Sequence, residues 1–203
     1  MESHLSTMPV EMMDHLPVHP ALPKQGDWNY AELCRLTDDG RRYEIINGTL
    51  YLVNTPSYDH QMTAGELLYH LQRFVGQRNL GVVDCAPCAL YFPEAGQLIH
   101  PDLVFWRDKA PHFDGRAYIG VPALVVEVLA PKSLRHDRVV KFDLYEAVGV
   151  EEYWLADPAT CTVEVYTLSH GEYALAGRFS DNELIQSEVL PELTIRTRLL
   201  FSL

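Results

Sequence analysis

The run Ala123–Leu129, ALVVEVL, constrains the fold more than any other stretch of this chain. It reads as a β-strand, and side chains alternate across a strand. Leu124, Val126 and Val128 therefore share one face, and Val125, Glu127 and Leu129 the other. Both faces are apolar apart from Glu127, so the strand belongs in the middle of a sheet covered on both sides. Pro131 and Ser133 then open a helix predicted to run to about Ala147, and Glu151–Ala156 returns as a strand.

The other elements follow from period and turn chemistry. Asp27–Leu36 reads as a short helix capped by Asp27. Arg41–Val53 is two β-rich runs joined by Asn47–Gly48, the pair that favours a tight hairpin. From Tyr58 to Arg78 the period becomes helical, with Leu67, Leu68, Leu71, Phe74 and Val75 on one face. Gly81–Phe92 reads as a strand, "PEAGQ" as a turn and Asp102–Trp106 as a short strand. Cys161–Leu168 and Tyr173–Phe179 pair through Ser169–His170–Gly171. The order predicts an α/β chain of the mixed α+β kind, a mixed sheet flanked by helices. Residues 26–203 form one domain, and residues 1–25, with Pro9, Pro17, Pro20 and Pro23 and no clear period, read as a poorly ordered tail.

Two acids interrupt this apolar pattern. Glu127 breaks the row Val125–Leu129, and Asp102 follows Pro101 at a strand end. An ionised carboxylate in a core costs several kcal/mol (about that order) unless compensated. If the two strands are neighbours, the two carboxylates converge and repel. A hard cation resolves that: Mg²⁺, with Mn²⁺ as the alternative, takes one or two carboxylates plus waters and phosphate oxygens. The next helix supplies the opposite charge. Asp137, Lys141 and Tyr145 are spaced to share one face, and Lys132, Arg135, Arg138 and Lys141 cluster near a helix N-terminus, the best phosphate-contacting patch in the sequence. Taken alone, Glu127 is equally a paired core carboxylate, Asp102 a turn cap, Glu44 a solvated strand residue, His60 a cap or packed polar residue, and Lys141 an ordinary partner of Asp137.

These runs, in order, resemble the Uma-type family of restriction endonucleases within the PD-(D/E)XK nuclease superfamily. The resemblance is carried by "YEIINGTLYLV", "TPSYDHQ", "PDLVFW", "LVVEVLAPKS", "HDRVVKFDLYEAVGVEEYWLADP" and "VEVYTL", spanning about Tyr43 to Leu168. It implies a restriction-endonuclease-like core and a metal-dependent nuclease site. Asp102 matches the acid of the "PD" pair and Glu127 the second acid. The usual lysine two residues later is Leu129 here, and the family pattern implies that Lys141 takes its role. Glu44 matches an acidic position that completes the metal environment, and His60 a recurring histidine. In the mechanism implied, Asp102 and Glu127 hold Mg²⁺, with Glu44 as third carboxylate or as support. Lys141 polarises the attacking water, and a DNA phosphodiester is hydrolysed.

Three functional classes stay open on the sequence: a metal-dependent DNA endonuclease, a non-catalytic nucleic-acid- or partner-binding protein on the same fold, and a phosphodiesterase acting on a smaller substrate. The net charge of −12 excludes a protein that coats nucleic acid over its whole surface, because such proteins are basic; DNA contact must be local. A homodimer suits the cutting of both strands of a duplex. Four scattered cysteines, no long apolar run and an acidic N-terminus without Lys or Arg lead to the expectation of a cytoplasmic protein. Cys85 and Cys88 read as packing residues rather than half a zinc site, and Trp154 as core.

Overall fold

The computed structural model describes residues 22–36 and 40–201. Most of the expected tail, residues 1–21, lies outside the described residues. Leu22 packs onto a hydrophobic cluster, and Gln25 exchanges two hydrogen bonds with the backbone of Leu50, at 2.7 and 3.1 Å.

The first helix, α1 (Tyr30–Arg35), starts two residues later than a cap at Asp27 would place it. Asn29 is the cap: its side chain accepts from the Glu32 amide at 3.0 Å. Asp27 instead belongs to the entry segment, where the amides of Gly26 and Trp28 both donate to the Gly48 carbonyl at 2.9 Å. The hairpin forms as expected, β1 (Tyr43–Ile46) against β2 (Thr49–Leu52). Asn47 and Gly48 both take positive φ, as a two-residue turn of this hand requires. Gly48 has a second reason to be glycine: a Cβ there would collide with the Gly26 carbonyl oxygen.

α2 (Tyr58–Arg78) has the predicted bounds, capped by Ser57 and ended by Asn79 in the left-handed conformation. It buries Leu67, Leu71, Phe74 and Val75. The predicted strand Gly81–Phe92 is two strands: β3 (Val82–Cys85) and β4 (Leu90–Phe92) lie in different sheets. Between them stands Pro87, which has no N–H for a ladder. Then follow β5 (Gln97–Ile99), β6 (Leu103–Trp106), β7 (Tyr118–Ile119) and β8 (Leu124–Val128). The predicted helix after Ser133 begins as a π-helical turn, His136–Lys141, before α3 (Phe142–Val148). β9 (Glu152–Asp157), β10 (Thr162–Ser169) and β11 (Glu172–Phe179) follow, then a small ribbon of β12 (Leu184–Ile185) and β13 (Ile195–Arg196).

The strands make two main sheets. One runs β2, β1, β5, β4, β7; the other runs β11, β10, β9, β8, β6, β3. β8 is interior, antiparallel to β6 and parallel to β9, so the sheet is mixed. Its two faces divide as alternation requires. Leu124, Val126 and Val128 join α2 and Leu190, Leu193, Ile195 and Leu200 in one core. Val125 and Leu129 join Ile46, Ile99, Leu144 and Tyr153 in a second, between the sheets and α3. A third cluster, around Trp28, Ile45 and Leu98, covers the outer face of the first sheet. Trp154 is fully buried, and Cys85 and Cys88 are free thiols, Cys88 being buried. No helix among the described residues is long and apolar enough to cross a membrane.

One buried acid outside the apolar pattern fastens the C-terminal segment. Glu152 is fully buried and accepts from Trp154 Nε1 and Ser187 Oγ, both at 2.6 Å, and from the amides of Glu188 and Val189 at 2.7 and 3.1 Å. Replacing it with alanine strands four donors, each costing about 1–3 kcal/mol when left unsatisfied. Glu152→Ala is expected to lower unfolding free energy by about 3 kcal/mol or more in denaturant titration; a loss under about 1 kcal/mol would show that this anchor is dispensable.

Candidate active site

The register of β6 on β8, Leu103 opposite Val126, sets Asp102 beside Glu127. The neighbouring strands that the sequence required are therefore present. Asp102 Oδ2 accepts from the Val128 amide at 2.8 Å and stands 3.0 Å from His60 Nε2, on the first turn of α2. His60 thus joins the site, held there because Ser57 caps its backbone N–H. Its Nδ1 is buried and without a hydrogen-bond partner among the described residues.

Glu127 is buried, and its Oε1 accepts from Lys141 Nζ and from Tyr145 Oη, both at 2.8 Å. Lys141 Nζ also donates to the His100 carbonyl at 3.2 Å and lies 3.1 Å from Glu44 Oε1 and 3.8 Å from Asp137 Oδ1. Asp137, Lys141 and Tyr145 do share one face, turned inward, and all three are buried. Glu44 has both oxygens engaged: Oε1 also accepts from the His100 amide at 3.0 Å, and Oε2 stands 2.7 Å from His136 Nε2. His100 Nδ1 lies 3.1 Å from the Cys88 carbonyl.

The charges do not balance, and protonation reflects it. Burial alone would pull the Lys141 ammonium down, but Glu127, Glu44, Asp137 and Asp102 hold it well above the ordinary lysine value. Each acid, in contrast, shares that one lysine. Burial pushes Glu127 well above the usual carboxylate range; Lys141 opposes this, but Asp102 and Asp137 add to it. Asp137 is raised too, chiefly by burial. Glu44 goes the other way. Burial would raise it, yet Lys141, His136 and the His100 amide bring it down to about 2. Four acids thus share one lysine, and the raised values of Glu127 and Asp137 are the response to that crowding of like charge and to burial.

The basic patch is only partly available. Arg138 is tied to Glu164 at 2.6 and 3.3 Å, and Lys141 is inside the protein, while Lys132 and Arg135 are exposed. Among the described residues no three His, Cys, Asp or Glu side chains stand close enough together to hold a metal ion. Sequence reasoning passed over His136 and His100. His136 sits one residue before Asp137, in the helix already singled out, and His100 two residues before Asp102; nothing in their spacing marks them, because their partner Glu44 is 92 residues from His136 along the chain.

The depressed Glu44 carboxyl has a consequence for stability. Its folded value lies below its unfolded one, so it stabilises the fold fully above about pH 4.5, and that contribution is lost as pH falls towards about 2. Wild-type protein is expected to lose about 2–3 kcal/mol more unfolding free energy than Glu44→Gln between pH 5 and pH 2. Parallel profiles for the two proteins in denaturant titrations would remove Glu44 from this account.

Comparison with known proteins is consistent with this architecture. A crystal structure of a putative nuclease belonging to DUF820 from Anabaena variabilis ATCC 29413 superposes with a TM-score of 0.71 at 20% identity, over 86% of this chain and 98% of that one. That likeness establishes a restriction-endonuclease-like fold. Among curated proteins, none matches this chain. The Uma2 family model, described as "Putative restriction endonuclease", matches residues 29–198, which take in every site residue named above. The chain therefore belongs to the Uma2 family.

Proposed function

We propose that this protein is a divalent-metal-dependent nuclease that hydrolyses DNA phosphodiester bonds at Asp102, Glu127 and Lys141. The observation that carries this reading is the 2.8 Å contact between Lys141 Nζ and Glu127 Oε1. The second acid has no lysine two residues on, and a residue from the following helix stands in for it, next to Asp102.

The donor set fits Mg²⁺ in its ordinary mode, with one or two carboxylates and the remaining positions left to water and substrate oxygens. Both contacts of Asp102 fall on Oδ2 and both of Glu127 on Oε1, so Oδ1 and Oε2 are the oxygens offered to a cation. A cation there would offset the mutual repulsion of Asp102 and Glu127 and the burial that raises Glu127. A bound Mg²⁺ would supply an activated water and offset the charge on the phosphoryl oxygens. The chain's own groups do the positioning. The Val128 amide and His60 fix the Asp102 carboxylate. Tyr145 and Lys141 fix that of Glu127. Lys141 brings a permanent positive charge to the attacking water and the phosphate, and Asp137 and Glu44 hold it in place. Glu44, saturated by Lys141, His100 and His136, serves as that anchor rather than as a third ligand. Lys132 and Arg135, exposed at the start of the same helical segment, contact flanking phosphates.

Calorimetric titration with Mg²⁺ or Mn²⁺ and plasmid cleavage on the same samples test this directly. Wild type should bind metal and cleave, and Asp102→Asn should do neither; wild type that binds no metal sinks the mechanism. Lys141→Met is expected to keep metal binding but cleave at least about 100-fold more slowly, the scale of losing one preorganised charge. Because that change leaves buried acids unpaired, Tyr145→Phe, which removes one hydrogen bond and no charge, serves as the milder companion, with a smaller loss of cleavage and a smaller fall in melting temperature.

A further inference from the structure

A cavity of about 410 Å³ opens between α1 and the outer face of the first sheet. Its lining includes Arg41, Arg42, Arg116 and His100, with Tyr30 and Tyr43. Three arginines around one concavity are unexpected in a chain of net charge −12. Arg42 and Arg116 enter no ion pair among the described residues. Among the described residues, then, no carboxylate side chain neutralises either guanidinium. The wall is otherwise aromatic and aliphatic. Tyr30 is fixed by stacking on Tyr91, with ring centres 4.3 Å apart, and by a 3.0 Å hydrogen bond to Asp114. Leu33, Leu36 and Leu98 complete the apolar side.

The cavity shares a wall with the ionic centre. His100 lines it, while the amide of the same residue bonds Glu44 and its carbonyl accepts from Lys141. Asp102 follows two residues later. A ligand seated in the cavity is thus a neighbour of the site.

We propose that this cavity is a subsite for one nucleotide of an unpaired strand, its phosphate held by Arg42 and Arg116 and its base set against the aromatic wall. Charge plus an aromatic platform is the chemistry by which single strands are held, because every base has a π-face and every linkage a phosphate. The volume is that of a small-molecule pocket, which admits a nucleotide but not a duplex. The proposal rests on the nuclease reading and adds to it the form of the substrate next to the scissile bond.

The test is fluorescence anisotropy of the full chain, in EDTA, with a labelled single-stranded oligonucleotide and with a duplex of equal length. The single strand should bind more tightly. Arg42→Ala/Arg116→Ala should weaken it at least about tenfold and lower the slope of log K against log[salt] by about 0.7, the effect of one phosphate no longer neutralised. Arg42→Lys/Arg116→Lys, which keeps both charges, should restore most of the slope. Equal affinity for single strand and duplex, or wild-type binding by the alanine variant, overturns the proposal. Cleavage is then measured with Mg²⁺ present. Wild type that binds single strands through these arginines but cleaves nothing overturns the nuclease reading and leaves the subsite standing. An alanine variant that cleaves with wild-type kcat/KM overturns the subsite and leaves the nuclease.

Discussion

The interaction on which this structure turns is the burial of one ammonium, Lys141, among the carboxylates of Glu127, Glu44 and Asp137. Each group alone would be costly inside a protein, and removing one partner of a buried pair typically costs about 3–5 kcal/mol. The three acids come from β8, β1 and the π-helical turn, and the lysine from the end of that turn. The charge cluster therefore ties both sheets to the crossover helix. A core of the same volume built from leucines would hold these elements at least as well. Retaining the charges makes sense as a site that needs them.

The geometry also shows why the cation beside Glu127 comes from the helix and not from β8 itself. On β8 the position two residues after Glu127 is Leu129, which packs in the core between the sheets. A lysine there would have to take its ammonium into that apolar cluster, which also holds Tyr153, Leu144 and Val150. From the next helix Lys141 reaches the Glu127 carboxylate at 2.8 Å, and its ammonium lies 3.1 Å from Glu44 and 3.8 Å from Asp137. The buried carboxylate of Glu127 needs a cation, and the helix is the element that supplies it.

How much was legible in the sequence follows from the range of each interaction. The hairpin at Asn47–Gly48, the bounds of α2 and the two faces of β8 are local, set by turn chemistry and periodicity, and the structure has them where the residues put them. The cap of α1 lies two residues beyond Asp27, because Asp27 and Asn29 are both good caps and the choice lies with Gly48, whose carbonyl claims the entry segment. The division of Gly81–Phe92 between two sheets was hidden for a related reason: both halves are good strand, and pairing partners are a tertiary property.

The sequence by itself determined that two acids interrupt apolar strands and that a basic helical segment follows them; its motifs determined which acids and which lysine to pair. Only the tertiary structure decided that Arg138 is spent on Glu164, that His60 steadies Asp102 and His136 engages Glu44, and that Arg42, Arg116 and His100 enclose one cavity. The physical reason is distance along the chain. Periodicity and capping act over a few residues, whereas a carboxylate's partner is whichever donor the folded sheets bring within about 3 Å, and that donor can stand anywhere in the sequence.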